Sequence, residues 1–202
     1  VVAENKNVSE SGSAIAFAKK FKELNPKEIG EEAGMRAIEL LHGETIKSQK
    51  LSIVLDQFVG AQFLAAISNL FSSDSVQKNK SLLKDKIGKS VASKILNITD
   101  NGMLENAIGS CPFDSEGTKT QKTILIENGV LKSYIYNCYT AARDNTKSTG
   151  NGFRPSFKKL VEVAPSNIYI EQGEHNEEEI IKSVKKGIFV RRTMGMHTIN
   201  PI

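Results

Sequence analysis

The side chains best suited to holding a metal ion are few and far apart in this sequence of 202 residues. They are three histidines and two cysteines: His42, His175, His197, Cys111 and Cys138. Zinc sites in proteins use such side chains in close pairs, for example two histidines four residues apart on one helix. No two of these five residues stand at such a spacing. The residues themselves therefore predict no metal site.

Nucleophilic and acid–base chemistry is equally hard to place. Cys111 lies in the segment SCPF and Cys138 at the end of a predicted strand, and neither has a histidine nearby in the sequence to activate it. Both are predicted to be free thiols in the core, and the sequence starts with no signal peptide, which indicates a reducing, cytoplasmic compartment. Asp114 and Glu116 are paired carboxylates before a hairpin, where solvation and turn hydrogen bonds explain them. We assign no catalytic residue.

Composition and charge describe an ordinary globular chain. Hydrophobic residues make up 39% and charged residues 25%, and the formal net charge of +4 is too small to indicate nucleic acid as a partner. The densest basic run, residues 78–94, has no aromatic side chain for stacking on bases, so it is interpreted as a solvated helix face instead of an anion-binding surface. The apolar stretch Leu51–Phe71 is interrupted by Asp56, Gln57 and Gln62, which predicts a strand and a buried helix and no membrane span.

The most distinctive local pattern is a β-hairpin followed by a glycine-containing loop. Thr123–Ile126 and Val130–Tyr136 are apolar arms around Asn128 and Gly129, and an Asn-Gly pair accepts the positive φ angles of a type I′ turn. The polar loop Lys147–Gly152 carries two glycines, which let its backbone come close to a ligand, a partner or a neighbouring strand. The residues alone leave these three alternatives open.

The other elements are predicted from apolar periodicity and from helix caps. Helices are predicted over Ala14–Leu24, Pro26–Leu41, Gln57–Phe71, Ser81–Ile87, Tyr139–Arg143 and Asn176–Gly187, strands over Lys50–Leu55, Val91–Ile98 and Asn167–Glu171, and a turn over Thr99–Leu104. Helices and hairpins occur without a regular alternation of strand and helix along the chain. This predicts an α+β fold, in which antiparallel β-hairpins and a mixed sheet pack with several helices. We expect residues 1–202 to form a single region, with residues 1–25 as a linker or edge segment.

Residues 114–152 carry a resemblance to a known family. They contain DSEGTKTQKTILIENGVLKSY, then AAR, then KSTGNG, and this order resembles the TldD/PmbA proteins, also called modulators of DNA gyrase and regarded as metallopeptidases. The resemblance continues downstream through Asn167–Tyr169 and Asn176–Gly187 and upstream to about Pro26. We expect the chain to lack both ends of a longer polypeptide, because valine is not a natural first residue and family members continue beyond residue 202.

In the catalytic members, the resemblance implies a zinc site on an HExxxH motif, with two histidines as ligands and a glutamate that activates water. The motif would lie on the helix Gln57–Phe71, with the histidines at about Ala65 and Leu70 and the glutamate at about Ala66. No histidine, glutamate or aspartate occurs at residues 57–73, so no shift of the alignment supplies one. The chain therefore resembles the non-catalytic, PmbA-like branch. Both alanines are expected to be buried at a close helix contact.

Two classes of function compete. The first is a non-catalytic subunit that pairs with an HExxxH-bearing TldD-like paralogue, or with itself as a homodimer, in a cytoplasmic metallopeptidase for unfolded or small peptides. This chain would then need no cofactor, and zinc is expected in the paralogue. The second class is a regulatory or binding protein of the DNA gyrase modulator kind, with no proteolytic role. A peptidase with unrecognised ligands is the least supported alternative. Nucleic acid and membranes are not expected as partners.

The loop of Ser148, Thr149, Gly150, Asn151 and Gly152 is the candidate cleft surface, and a loop whose glycines only turn the chain is the alternative. Strands from Ile124–Tyr136 and Asn167–Glu171 are expected to form walls of the cleft or to pair with an extended peptide.

Overall fold

The computed structural model describes residues 1–6 and 8–196. The chain divides into two compact units, Val1–Lys50 and Leu51–Ile202, where the sequence predicts a single region. Helices occur together with antiparallel and parallel strands, so the predicted α+β class is confirmed. Among the described residues, no helix is both long and apolar enough to cross a membrane.

The first unit consists of an antiparallel hairpin and one helix. Strands β1 (Val2–Asn5) and β2 (Val8–Ser11) pair with each other, and helix α1 spans Pro26–Leu40. The side chain of Asn25 accepts hydrogen bonds from two backbone N–H groups of the first helical turn. The predicted cap and start of this helix are confirmed.

Residues 1–25 hold more structure than the predicted linker or edge segment. The hairpin is followed by Gly12, which lies so close to α1 that an added Cβ would sit 2.1 Å from the carbonyl oxygen of Ala33. A single 3₁₀ turn, Phe21–Glu23, stands where a helix over Ala14–Leu24 is predicted. The short apolar repeat of residues 14–24 indicates a helix, but it gives no sign of the close backbone contact between Gly12 and α1.

The second unit contains four further helices and eight further strands among its described residues. The helices are α2 (Gln57–Ile67), α3 (Ser73–Gln77), α4 (Cys138–Arg143) and α5 (Glu177–Ser183). The strands are β3 (Ser52–Leu55), β4 (Ile98–Asn101), β5 (Lys122–Glu127), β6 (Val130–Leu131), β7 (Gly152–Phe153), β8 (Glu162–Val163), β9 (Ile168–Ile170) and β10 (Gly187–Val190). Strands β3 and β10 pair in parallel, and β7 pairs with β8 antiparallel. Strands β6, β5, β4 and β9 form, in that order, an antiparallel sheet.

The predicted hairpin lies in this four-stranded sheet. Asn128 and Gly129 turn the chain between β5 and β6 with φ angles of 49° and 77°, as the Asn-Gly pair predicts. The second arm is shorter than the predicted Val130–Tyr136. The Lys132 N–H still donates to the Leu125 carbonyl at 2.8 Å; beyond it the chain leaves β5, and Ile135 forms a parallel bridge with Ser72.

The two edges of the four-stranded sheet differ. Residues 88–92 run along β6: the Gly88 N–H donates to the Leu131 carbonyl at 2.8 Å, and the Leu131 N–H donates to the Lys89 carbonyl at 3.1 Å. At the other edge, no strand of the described chain pairs with the outer side of β9. The sheet therefore offers β9 as its open edge.

The lysine-rich segment is irregular. Turns occupy the region where a helix over Ser81–Ile87 and a strand over Val91–Ile98 are predicted, and β4 begins only at Ile98. Asp85 and Gly88 adopt positive φ angles of 59° and 79°, which interrupt any regular element. The interpretation of this run as a helix face is wrong, although all six lysines of residues 78–94 are exposed as expected.

The core of the second unit lies between the four-stranded sheet and helices α2, α3 and α4. Its largest fully buried apolar side chains are Phe71, Ile98, Leu125, Leu131 and Ile135. Complete burial of one such side chain contributes about 1.5–3 kcal/mol. This core fixes the sheet to which the candidate functional loop is attached.

Helix α2 is less buried than its apolar composition predicts. It ends at Ile67 and continues as a short 3₁₀ turn, and only Val59 and Leu64 within α2 are buried. Phe63 on another side of the helix is 50% exposed. The prediction of burial all round is wrong, because the helix packs on the core along one face only.

The two alanines of α2 are also more accessible than expected. Ala65 is exposed and Ala66 is half-buried. A glutamate at position 66 could therefore turn its carboxylate to solvent, and the loss of about 3 kcal/mol or more that a buried charge would cause does not follow.

Candidate functional site

The positions at which the family resemblance places the HExxxH motif lie on α2 and on the turn after it. Ala65 is exposed, and Ala66 and Leu70 are half-buried. Methyl and isobutyl groups can neither bind a metal nor accept a proton. Within residues 1–6 and 8–196, no group of three or more His, Cys, Asp or Glu side chains is placed to hold a metal ion. The residues present do not fit the zinc that the family implies.

The histidines and cysteines are dispersed. His42 follows α1, His175 lies beside the cap of α5 with its Nδ1 3.6 Å from a Glu179 oxygen, and His197 lies outside the described residues. Among the described residues, neither Cys111 nor Cys138 forms a disulfide bond, so both are thiols, as predicted. Cys138 is exposed, so its assignment to the core is wrong, because it begins α4 at the surface, with its Sγ 3.4 Å from Thr118 Oγ1.

The candidate cleft loop faces the protein interior for much of its length. Gly150, Asn151 and Gly152 are buried, and Ser148 and Thr149 are half-buried. The Thr149 hydroxyl oxygen accepts from the Tyr136 N–H at 2.7 Å, and the hydroxyl donates to Asn151 Oδ1 at 2.6 Å. The loop is thereby joined to the chain that leaves the hairpin.

Asp100 joins the loop to the four-stranded sheet. Its side chain is 1% exposed and accepts hydrogen bonds from Asn151 Nδ2 at 2.7 Å, from the Ser166 N–H at 2.8 Å and from Ser166 Oγ at 3.0 Å. Burial raises the pKa of Asp100, and the hydrogen bonds from Asn151 and Ser166 act in the opposite direction. One buried carboxylate therefore holds the candidate loop and the approach to β9 together.

A second carboxylate holds the other side of the loop. Asp114 is 7% exposed, and its Oδ1 accepts from the N–H groups of Glu116 and Thr118, both at 2.9 Å. Its Oδ2 accepts from the Gly152 N–H at 2.9 Å. The predicted turn hydrogen bonds are thus confirmed for Asp114. The prediction that solvent surrounds its carboxylate is wrong. Glu116 reaches the start of α4, where it accepts from the Cys138 N–H at 2.7 Å.

Asp100 and Ser166 are site residues that the sequence did not single out. The sequence predicts Asp100 in a turn over Thr99–Leu104, whereas it is the third residue of β4. A weak signal was available, because Ile98 and Thr99 before it favour a strand. Nothing in the sequence indicates its partners, which lie 51 and 66 residues away.

Close packing of Gly150 gives a stability prediction with an internal control. Gly150 has φ of 73°, and an added Cβ would sit 2.5 Å from the Lys119 carbonyl oxygen. Gly117 has φ of 77° but open space around it. Gly117→Ala should lose about 1–2 kcal/mol from the left-handed backbone, and Gly150→Ala should lose about 1–3 kcal/mol more from the clash. Urea unfolding measures both, and equal losses would show that the loop is not held against residue 119.

Comparison with known proteins identifies the family. Residues 48–202 match the family model of the PmbA/TldA metallopeptidase C-terminal domain. A metalloprotease of Methanocaldococcus jannaschii is 35% identical over 165 residues, which cover 81% of this chain and 36% of that protein.

Two crystal structures share the fold. A proposed modulator of a DNA gyrase from Thermotoga maritima is 33% identical with a TM-score of 0.87 over 100% of this chain and 46% of that one. TldE from Thermococcus kodakarensis is 25% identical with a TM-score of 0.87 over 99% of this chain and 46% of that one. The chain spans less than half the length of each of these three proteins. It belongs to the PmbA/TldD metallopeptidase family.

Proposed function

We propose that this chain acts as a non-catalytic subunit of a PmbA/TldD-type metallopeptidase, which works in the cytoplasm on unfolded or small peptides. An HExxxH-bearing paralogue is its partner in this proposal, and association with a second copy is the alternative assembly. One observation carries the proposal: Ala65, Ala66 and Leu70 occupy the motif positions in a chain of a metallopeptidase family. Family membership suggests the reaction, and these side chains support a partner as the source of its chemistry.

The open edge of β9 is suited to binding an extended peptide. Thr99 lies opposite Tyr169, and on either side the N–H groups of Asn101 and Glu171 donate across the β4–β9 pair at 3.0 Å. In an antiparallel pair, the residues between such hydrogen-bonded positions point their N–H and C=O groups away from the partner strand. The main-chain groups of Ile168 and Ile170 therefore point to the open edge. A peptide could add there as a further strand, with hydrogen bonds that do not depend on its sequence.

The hairpin is a poorer candidate for pairing with a peptide than the sequence suggested. Strand β5 is paired on both sides, by β4 and by β6. The outer side of β6 is occupied by residues 88–92. Of the two regions expected to pair with a peptide, Asn167–Glu171 is therefore the better candidate.

Proline at position 170 tests the β9 edge. Ile170→Pro removes an N–H that points outward, so the sheet should persist, because proline is tolerated on edge strands. Binding of an unstructured peptide, followed through amide chemical shifts of β9, should weaken by about tenfold for one lost hydrogen bond and the altered edge. Ile170→Ala keeps the N–H and is the control. Equal weakening by both variants would assign binding to the side chain and contradict the main-chain mechanism.

Metal content gives a second prediction. The purified chain should contain no stoichiometric zinc, since the ligand positions hold alanine and leucine. Elemental analysis after dialysis against a chelator measures this directly. About one zinc per chain, retained through that dialysis, would contradict a non-catalytic role.

A regulatory or binding role is the second candidate function. The similarity to a proposed modulator of a DNA gyrase and the six exposed lysines of residues 78–94 favour it. Retention on DNA that weakens steeply with salt would support this candidate. Loss of peptide hydrolysis from a native complex when this chain is removed would instead support the subunit role.

A further inference from the structure

The first unit, Val1–Lys50, has a very small core. Among its described residues, the only buried hydrophobic side chains are those of Ala33 and Ala37 on α1, which are 7% and 0% exposed. Gly12 packs against the backbone of the same two residues. Folding must offset the conformational entropy of every ordered residue, and the burial of two methyl groups offsets little of it. The core of this unit is therefore too small to stabilise it alone.

Large hydrophobic side chains of the same unit lie at its surface instead. Six of them are between 42% and 87% exposed: Ile15, Phe17, Phe21, Met35, Ile38 and Leu40. We call these six side chains the hydrophobic surface of the first unit. The second unit, by contrast, has a core cluster of twelve buried side chains. A unit that exposes large hydrophobic side chains and buries none in its described part is expected to pack against another surface.

The hairpin of the first unit is also incomplete as a sheet. Strands β1 and β2 pair with each other, and no further strand of the described chain pairs with either of them. Both outer edges of the hairpin are therefore open. A two-stranded hairpin is only marginally stable in water, and added strands or a packed helix stabilise it. Helix α1 packs on this hairpin but buries only its two alanines.

The family comparison indicates which polypeptide is available to cover the unit. Residues 48–202 match a C-terminal domain, so nearly all of the first unit precedes that domain. In the crystal structure of the proposed DNA gyrase modulator, the matched part includes the first unit but makes up only 46% of the polypeptide. The Val1 nitrogen donates to the Gly12 carbonyl at 3.0 Å, so a chain that leads into Val1 reaches the unit close to α1.

We propose that the first unit is the last part of a larger domain, and that the polypeptide preceding Val1 in the full-length protein packs on its hydrophobic surface. That polypeptide supplies hydrophobic side chains against Phe17, Phe21 and Ile38, and a strand that extends the hairpin at one of its open edges. A segment joined covalently to the unit reaches it at a high effective concentration, which favours it over a separate molecule. This inference is independent of the proposed function.

Hydroxyl-radical oxidation of the full-length protein, measured by mass spectrometry, tests the proposal without any substitution. Oxidation of Phe21 should be about tenfold slower in the native protein than in the urea-unfolded protein, because radicals reach a covered ring only after local opening. Phe157 is the matched control, since it is 85% exposed in a turn beside Lys158. It should react at similar rates in both states. Equal rates for Phe21 in the two states, or equal protection of both phenylalanines, would overturn the proposal.

The protein concentration distinguishes the occupants of the hydrophobic surface. Coverage by the same polypeptide is independent of concentration, so the protection of Phe21 should be the same at roughly 1 and 100 µM. Protection that disappears on dilution would assign the surface to a second copy of the chain and would overturn the proposal.

A pair of substitutions gives an independent measurement on the full-length protein. Phe21→Ser should lower the Tm by roughly 5 °C, because it removes a ring that the preceding polypeptide covers. Phe157→Ser should leave the Tm within about 1 °C of the parent, as is usual for a surface substitution. Equal shifts in the two variants, or an unchanged Tm for Phe21→Ser, would contradict coverage of the hydrophobic surface.

Discussion

Replacing Asn151 with alanine is expected to lower the free energy of unfolding by about 3 kcal/mol, because it leaves a buried carboxylate short of a donor. Asn151 is 1% exposed, and its side chain donates to Asp100 and to the Ala164 carbonyl and accepts from Thr149. Asn151 and Asp100 are both 1% exposed, so bulk solvent does not reach the groups that the substitution leaves unpaired. The loss is therefore larger than that of an ordinary surface hydrogen bond.

Denaturant unfolding with an unchanged m-value measures this loss. Ser148→Ala is the control in the same loop: Ser148 is half-buried and its hydroxyl donates to the Tyr136 carbonyl at 3.2 Å, so about 1 kcal/mol is expected. A parental stability for Asn151→Ala, combined with lost activity of an assembled complex, would mean that the residue serves a cleft. The role of the whole loop as a cleft surface stays a prediction.

Local sequence patterns predicted the elements whose stability is local. Asn128-Gly129 predicted the hairpin turn, because both positions need a positive φ angle. Asn25 and Asn176 predicted the starts of α1 and α5, where each side chain accepts from the first helical turn. These interactions span three residues or fewer, so the sequence alone contains them.

The polar network behind the loop could not be predicted in this way. The hydrogen bond from Asn151 to Asp100 spans 51 residues, and that from the Gly152 N–H to Asp114 spans 38. Aspartate and asparagine in turn-like segments are usually solvated, so composition indicates exposure for residues that are in fact buried. Only the tertiary fold shows that these carboxylates are enclosed.

Helix α2 and strand β10 show two other limits. The apolar composition of α2 indicates that it can be buried all round, but it does not say which faces this chain covers, and Phe63 remains half exposed. Strand β10 went unrecognised because Gly187 was interpreted only as the end of a helix. The glycine instead begins a strand whose pairing with β3 joins residues more than a hundred positions apart.

The full-length protein is expected to hydrolyse no peptide by itself and to support hydrolysis when mixed with its HExxxH-bearing paralogue. A chelator should stop the reaction, since the proposal assigns the water-activating metal to the partner. Replacing the glutamate of the partner's motif should lower kcat by about 10²–10⁴-fold, the usual contribution of a general base. No substitution of a single ionisable residue in this chain should have that effect while the complex stays assembled.

The most direct test of the non-catalytic assignment is peptide hydrolysis by this protein purified to homogeneity, in full length and without any paralogue. Zinc should be supplied at about one equivalent, so that a missing metal cannot explain a negative result. We expect no turnover of an unstructured peptide above the buffer control, and turnover as soon as the paralogue is added. Turnover by the isolated protein that persists through purification and disappears with chelator would contradict the assignment.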